Sequence, residues 1–271
     1  MHRIVLLLPL AATLLTGCTE PAIDPSEVIR RSLYAGSSTE SYEFSAHVVA
    51  TARGPIVYSG SAILQGSVRR SGVIASTVSL SMERIQGTAS DRVDGVVGMR
   101  YPGNRILYLD LSAISGHVGS ELQAQLSGAT FDGWTALTMT GVSIQPSFPT
   151  EEEIQAQASA FVVLRDRSTR SGDYMFDVGF APGVVSALVN GARDDAITGA
   201  LTIDRETFAL KRALWTMVAL PTPIGNMTGT VDVTFSSFNE VTLPVMPLFT
   251  GSSLPFDTLF DTISAAVPIS S

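Results

Sequence analysis

Cysteine, lysine and histidine are nearly missing from this 271-residue chain, which has one cysteine (Cys18), one lysine (Lys211) and three histidines. Charge is scarce as well: 15% of residues carry it, against a usual figure of about 25%. With 45% hydrophobic residues and a mean hydropathy of +0.28, this excludes a disordered chain, which needs the opposite balance, and a long charged coiled coil. Seventeen basic residues against twenty-five acidic ones give a net charge of −8 with no basic cluster, the wrong electrostatics for nucleic acid. No two glycines stand two apart, so the dinucleotide fingerprint is absent. Glycines five apart occur at Gly98/Gly103 and Gly128/Gly133, but Asn104 and Trp134 follow them where a phosphate-binding loop needs lysine. No serine has glycine on both sides at a spacing of two, so there is no nucleophile elbow. His47, on the polar register of its strand, and His117, in a Gly/Ser segment, have no cysteine, histidine or acid beside them at metal-ligand spacing. The carboxylates are scattered. Asp91 and Asp94 near a turn and Asp194-Asp195 beyond a helix read as solvated acids, although two distant strand carboxylates are also what a glycosidase uses. The expectation is a protein that is not an enzyme, with no catalytic residue, no metal and no cofactor.

What is present begins at the N-terminus. His2 and Arg3 precede an apolar run, Ile4 to Leu15, that contains Pro9 and is too short to span about 30 Å of hydrocarbon as a helix. A basic start, an apolar middle and a small-residue end describe a secretory signal peptide. The end, Leu15-Thr16-Gly17-Cys18, resembles the lipobox of bacterial lipoproteins at all four positions. The resemblance implies cleavage before Cys18 and a diacylglyceryl group on its sulfur, and a lone thiol in an exported protein is otherwise unusual. Residues 1–17 are thus expected to be the signal peptide and 18–24 a short tether with a reach of about 20 Å. Residues 25–271 are expected to form one domain, a monomer close to the membrane. Two or more acyl chains would hold it there. The expected location is the outer face of the cell membrane, or its periplasmic side in a cell with two membranes.

Asp24-Pro25-Ser26-Glu27 is a helix start, and Val28, Ile29 and Leu33 give a short amphipathic helix over about 24–35, stopped by Gly36. The period then changes to two. Tyr42 to Ala50, then Ile56 to Leu64, 72–84, 90–100 and 105–111 alternate, with Gly54-Pro55 and Pro102-Gly103-Asn104 as turns. Strands at this spacing with glycine-rich turns indicate an antiparallel meander rather than βαβ units. A helix is expected near Glu121-Leu122-Gln123-Ala124 inside the less legible segment 112–128. Gly133 to Met139 is a strand, Thr150-Glu151-Glu152-Glu153 a capping box for a helix to about Ala160, and 161–167 with Tyr174 to Phe180 a hairpin. Pro182-Gly183 opens a helix through Asn190. Strands at 199–205, 208–219 and 227–238 follow. The tail from Leu243, with four prolines, reads as irregular with a helical turn near Phe256-Leu259. Eleven strands and three to four helices make the chain mainly β, an α+β fold.

A long meander with one apolar face has to curl and cover it, and a sheet of this width can enclose a cavity as well as a packed core. The large apolar residues expected on that face are Phe44, Val48, Leu80, Val97, Met99, Tyr108, Trp134, Phe176, Trp215 and Met217. They line a ligand cavity or fill a core, and the pattern alone leaves both open.

The order of features resembles the LolA/LolB-like superfamily, especially the LppX/LprG-like lipoproteins of bacterial envelopes. It runs from a lipobox and a short helix to Ser41-Tyr42-Glu43-Phe44, then Gly133-Trp134 and Tyr174-Met175-Phe176-Asp177-Val178. A helix through Leu188 and Val189, Leu201 to Asp204, a strand to Trp215, and Val233 to Val241 with prolines behind it complete the order. The resemblance covers most of 25–250. It implies an incomplete antiparallel barrel with helices on its concave side or as a lid. It further implies an apolar cavity for lipid or lipoprotein acyl chains, exchange with envelope transport proteins, and no catalytic residues. The segment 112–128 and the proline-rich C-terminus depart from the family's pattern. The alternative readings are a surface-anchored binding or scaffold domain with a filled core, and a hydrolase without a recognisable motif.

Overall fold

The computed structural model describes residues 23–103, 105–115, 124, 130–131, 133–139, 149–169, 172–243 and 253–255. The signal peptide, Cys18 and the tether to residue 22 lie outside them. So do His117, most of 112–128 and most of the proline-rich tail.

Helix α1 (Pro25–Ser38) starts where the sequence places it. The Asp24 carboxylate accepts the Ser26 backbone N–H at 2.8 Å, and proline occupies the first helical position. Glu27 is held by Arg30 and Arg31, each at 2.7 Å. The helix runs past Gly36, the expected stop, to Ser38, and the Gly36 carbonyl accepts the Thr39 N–H. Strands β1 (Ser41–Arg53), β2 (Val57–Arg69), β3 (Ile74–Gln86), β4 (Ala89–Tyr101) and β5 (Ile106–Ile114) follow, then the two-residue β6 (Thr130–Phe131) and β7 (Trp134–Thr138). Helix α2 (Glu151–Ser159) carries the full capping box: the Thr150 hydroxyl accepts the Glu153 N–H, and the Glu153 carboxylate accepts the Thr150 N–H. β8 (Phe161–Asp166) and β9 (Tyr174–Phe180) form the expected hairpin. α3 is shorter than expected, Val184–Leu188, entered through Gly183 at a φ of +86° that a side chain would strain. A 3₁₀ turn (Asp194–Ala196), β10 (Ile197–Ile203), β11 (Leu210–Thr222), β12 (Gly225–Ser236) and β13 (Leu254–Pro255) complete the chain.

All thirteen strands join one sheet in the order β13-β7-β5-β4-β3-β2-β1-β12-β11-β10-β9-β8, with β6 on β7. The expected mainly-β curled antiparallel sheet is what the structure has. It consists of two meanders, one from β1 outward to β7 and the other from β8 to β12, sewn together by an antiparallel β1–β12 pairing from Glu43↔Ser236 to Arg53↔Asn226. Eleven strands are those the alternation shows. The tail, expected to be irregular, adds β13 parallel to β7, and β6 is the other addition. The two ends of the sheet, β13 and β8, are not paired with each other among the described residues, so the sheet is open.

The helices cover one half of one face. α1 packs on α2, β8 and β11 together, which sets the inner side of the curl. Val28 and Ile29 of α1 bury against Tyr174, Phe176, Val178, Leu201, Ile203 and Ala213. A second cluster at the other end of the sheet joins Tyr101, Leu107, Leu109, Leu111, Leu137 and Met139. A third, smaller cluster packs Val185 of α3 and Leu220 around the 3₁₀ turn.

Candidate functional site

Registers settle which residues share a face. Across the middle of the sheet, one row runs Phe235–Phe44–Gly66–Ser76–Met99–Leu109. The next row runs Val233–Ala46–Leu64–Val78–Val97, and the one beyond it Trp215–Val231–Val48–Ala62–Leu80–Gly95. Phe176 and Met217 lie on this same inner face, through Leu201↔Phe176 and Met217↔Gly229. Eight of the ten expected apolar residues therefore belong to one surface.

Tyr108 and Trp134 do not. Tyr108 pairs with Arg100 and Trp134 with Asp110, which places both on the outer face. The cause lies in β5. Leu107, Tyr108 and Leu109 are all buried, so both faces of this strand are covered, and alternation carries no information about which side is inward. Trp134 lies across β5 over Gly98, and the Arg100 guanidinium sits 5.3 Å from its ring centroid.

Burial grades along the inner face. Phe176 is buried under α1, whereas Phe44, Val48, Leu80, Val97, Met99, Trp215 and Met217 are half-buried. With Leu64, Val78, Val231 and Val233 they form an apolar strip between the first two clusters. The outer side of the same strands is mixed: His47, Gln65, Thr77, Ser79 and Arg92 are exposed there, and so are Val49, Ile63 and Val96. His47 stands there opposite Asp232, as expected of a surface histidine. Within the strip, the Ser76 hydroxyl is buried without a hydrogen-bond partner among the described residues.

An aromatic wall closes the α1 side of the strip. Trp215 stacks on Phe180 at 5.5 Å and on Phe161 at 6.0 Å, reaching from β11 to β8. Below it, Phe176, Tyr174 and Phe208 stack in sequence, Arg205 lies 4.3 Å from the Tyr174 centroid, and Arg31 caps Phe208. Sequence reasoning missed Phe208, whose φ of +58° turns it inward. The Asp204 carboxylate, which accepts the N–H groups of Glu206 and Thr207, fixes that turn.

Two concavities stand out. One, about 410 Å³, lies on the outer face over β12, β1, β2, β3 and β4. The other, about 500 Å³, lies between α1 and the turn carrying Thr207 and Phe208, with Arg30, Arg31, Tyr34 and Glu151 around it. Apart from Phe44, neither takes its lining from the ten expected residues.

The acids serve local structure. Asp94 pairs with Arg92 within β4 rather than near a turn, Asp195 pairs with Arg193, and Asp194 accepts the Gly183 N–H. Lys211 joins Asp173 at 2.9 Å and Asp204 at 2.7 Å, and the second of these bonds, with those from Thr207 and Glu206, holds the Asp204 carboxyl well below the usual range. The Arg30 and Arg31 guanidiniums lower Glu27 to about 2. No group of three or more metal-ligating side chains occurs among the described residues.

No family model and no curated protein matches the chain. Among solved structures it is similar to LprF from Mycobacterium bovis, at 12% identity over 81% of this chain and 95% of that one, with a TM-score of 0.37. It is also similar to a putative outer membrane lipoprotein-sorting protein domain from Vibrio parahaemolyticus, at 6% identity over 79% and 90%, with a TM-score of 0.23. The LolA superfamily protein NE2245 from Nitrosomonas europaea matches at 9% identity over 82% and 96%, with a TM-score of 0.22. These names come from the group of envelope proteins that the sequence resembles. At scores this low the likeness carries no argument about ligand or partner.

Proposed function

We propose that this chain is an exported lipoprotein, anchored through Cys18, whose inner sheet face takes up the acyl chains of a lipid or lipoprotein and carries them within the cell envelope, handing them to envelope transport proteins without catalysing a reaction. The observation that supports this is the strip from Phe44 and Val48 through Leu80 to Val97 and Met99, apolar and half-buried between two fully buried clusters. Monomeric proteins leave large apolar surfaces uncovered chiefly where something binds. An acyl chain gains roughly 25 cal/mol for each Å² it removes from water and needs no directional contact, which accords with a site lacking a motif.

The test is to purify the full-length protein from membranes in a mild detergent, extract it with organic solvent and count lipid per mole of protein. About one or more equivalents of acyl lipid, displaced by a fluorescent fatty acid, is the expected result. A protein that carries no lipid and does not take up the fluorescent fatty acid would overturn the reading and leave a scaffold with a filled core.

A further inference from the structure

The concavity of about 410 Å³ lies on the face opposite the acyl strip, whose row it meets only at Phe44, Gly66 and Ser76, and its chemistry is the opposite. Two adjacent register rows form its floor. One runs Thr234–Ser45–Gln65–Thr77, the other Ser236–Glu43–Ser67–Ala75–Arg100. Its volume falls within the ~300–1,000 Å³ of small-molecule sites, yet apart from Phe44, Gly66 and Ala75 its lining carries hydroxyls, one amide, one carboxylate and one guanidinium. Short side chains along the rows (Ser45, Ser67, Ala75) leave the depression, with Arg100 at its β4 end and Glu43 one strand in from its β12 end.

Arg100 is held in a specific way. Its Nη1 donates to the Ser76 carbonyl at 3.1 Å and to the Met99 carbonyl at 2.8 Å, and its plane rests on Trp134. Among the described residues no carboxylate pairs with it, and its Nε and Nη2 groups donate to no protein acceptor. Asp110, the acid nearest in register, is engaged with Ser112. Partial burial lowers the pKa of Arg100 from its ordinary value, as befits a charge without a counter-ion. A guanidinium fixed through one nitrogen, with no protein acceptor on its Nε/Nη2 edge among the described residues, is a fork suited to receive an oxyanion through two parallel hydrogen bonds. Toward the other end, one Glu43 oxygen accepts the Ser237 hydroxyl at 2.7 Å, which leaves the other oxygen as an acceptor for a ligand hydroxyl. Ser45, Gln65, Ser67 and Thr77 lie between them, with side chains that make no hydrogen bond within the described protein.

We propose that this outer groove is a binding site for an acidic saccharide, a hydroxyl-rich ligand with one carboxylate or phosphate that docks on Arg100. The Arg100 fork takes the oxyanion, the Ser/Gln/Thr floor satisfies the hydroxyls beside it, and Glu43, three strands away, accepts a hydroxyl of a further sugar unit where the ligand is longer than one. A fatty acid lacks the hydroxyls for this floor, and a bare oxyanion occupies only its Arg100 end. The site is independent of the acyl reading and survives its failure.

The test uses the full-length protein in detergent micelles, titrated calorimetrically with glucuronate, glucose 6-phosphate, glucose and inorganic phosphate. At least one of the two acidic sugars is expected to bind about tenfold or more tightly than both glucose and inorganic phosphate, and whichever binds better identifies the oxyanion. Arg100→Lys keeps the charge and removes the fork, and is expected to lose about tenfold in affinity, the size of a hydrogen bond to a charged group. Gln65→Ala and Ser67→Ala should weaken binding by a few-fold with unchanged melting. Acidic sugars that bind no better than glucose or than inorganic phosphate would overturn the proposal. So would wild-type affinity in Arg100→Lys. If Arg100→Lys does not fold, unchanged affinity in both Gln65→Ala and Ser67→Ala would overturn it.

Discussion

Trp215 on β11 lies flat over Gly199 on β10, so that a β-carbon on Gly199 would stand 2.5 Å from the indole Cε3 and Cζ3 atoms. The missing side chain is what lets the ring pass over one strand and stack on Phe180 and Phe161 of the next two. One glycine therefore closes the apolar strip on its α1 side.

Gly199→Ala is expected to push the indole off this path and to destabilise the protein by about 1–3 kcal/mol, the usual cost of overpacking. Urea unfolding followed by tryptophan fluorescence measures it. Pairing the change with Trp215→Leu should recover part of the loss, because the clash then has no second partner. A Gly199→Ala protein as stable as wild type would show that the ring has another place to lie.

The acid side of the stability curve should depend on Asp204. Hydrogen bonds from Lys211 first, and from the Thr207 and Glu206 backbone, hold its carboxyl well below the usual value. A group depressed in the folded state stabilises above its unfolded pKa, near 3.9, and loses that contribution as pH falls toward the folded value. Asp204→Asn should therefore lower the melting temperature at pH 7 and narrow its gap to wild type progressively below about pH 4. The Lys211 pKa is raised by its hydrogen bonds to Asp204 and Asp173, so its contribution persists up to its ordinary value and fades only as pH rises beyond it. Melting curves from pH 2 to 7 decide the matter. An effect that does not change with pH would remove Asp204 from the account.

Much of this fold was legible because the period-two pattern is strong wherever one face meets water. Tyr42 to Ala50 and Ile74 to Met82 alternate, and the structure pairs them in the register that this alternation requires. Legibility failed where both faces are covered. β5 buries Leu107, Tyr108 and Leu109 in succession, so its sequence offers no choice of side, and Tyr108 and Trp134, expected inward, lie outward. It failed too for β13, two residues whose pairing with β7 is set by the tertiary neighbourhood and not by local preference. The join of the two meanders through β1 and β12 is a long-range pairing that no local pattern announces. The outer groove was invisible because its residues read, one strand at a time, as an ordinary solvated face.

The proposed anchor rests on Cys18. Changing it to alanine removes the only sulfur that can carry the diacylglyceryl group. The Cys18→Ala protein should accumulate as an unprocessed precursor lacking the lipid mass. In a Triton X-114 split the wild-type protein is expected in the detergent phase. Wild-type protein in the aqueous phase would refute the lipobox.

Two substitutions separate an occupied surface from a filled core. Leu137 is fully buried in the cluster shared by β5 and β7, so Leu137→Ala should cost about 2–5 kcal/mol through the cavity it leaves while leaving bound lipid per folded molecule unchanged. Val97 belongs to the same meander, but its side chain is half-buried at the strip, in register with Val78. In a filled core, Val97→Trp would overpack and cost ~1–3 kcal/mol or more. On a surface that acyl chains cover, the indole takes the ligand's place. The expected outcome is a melt within about 1 kcal/mol of wild type together with loss of most of the extractable lipid. Differential scanning calorimetry and mass spectrometry of the organic extract supply the two readings. A Val97→Trp protein that melts far below wild type and still carries its lipid would place the ligand elsewhere and return this strip to the core.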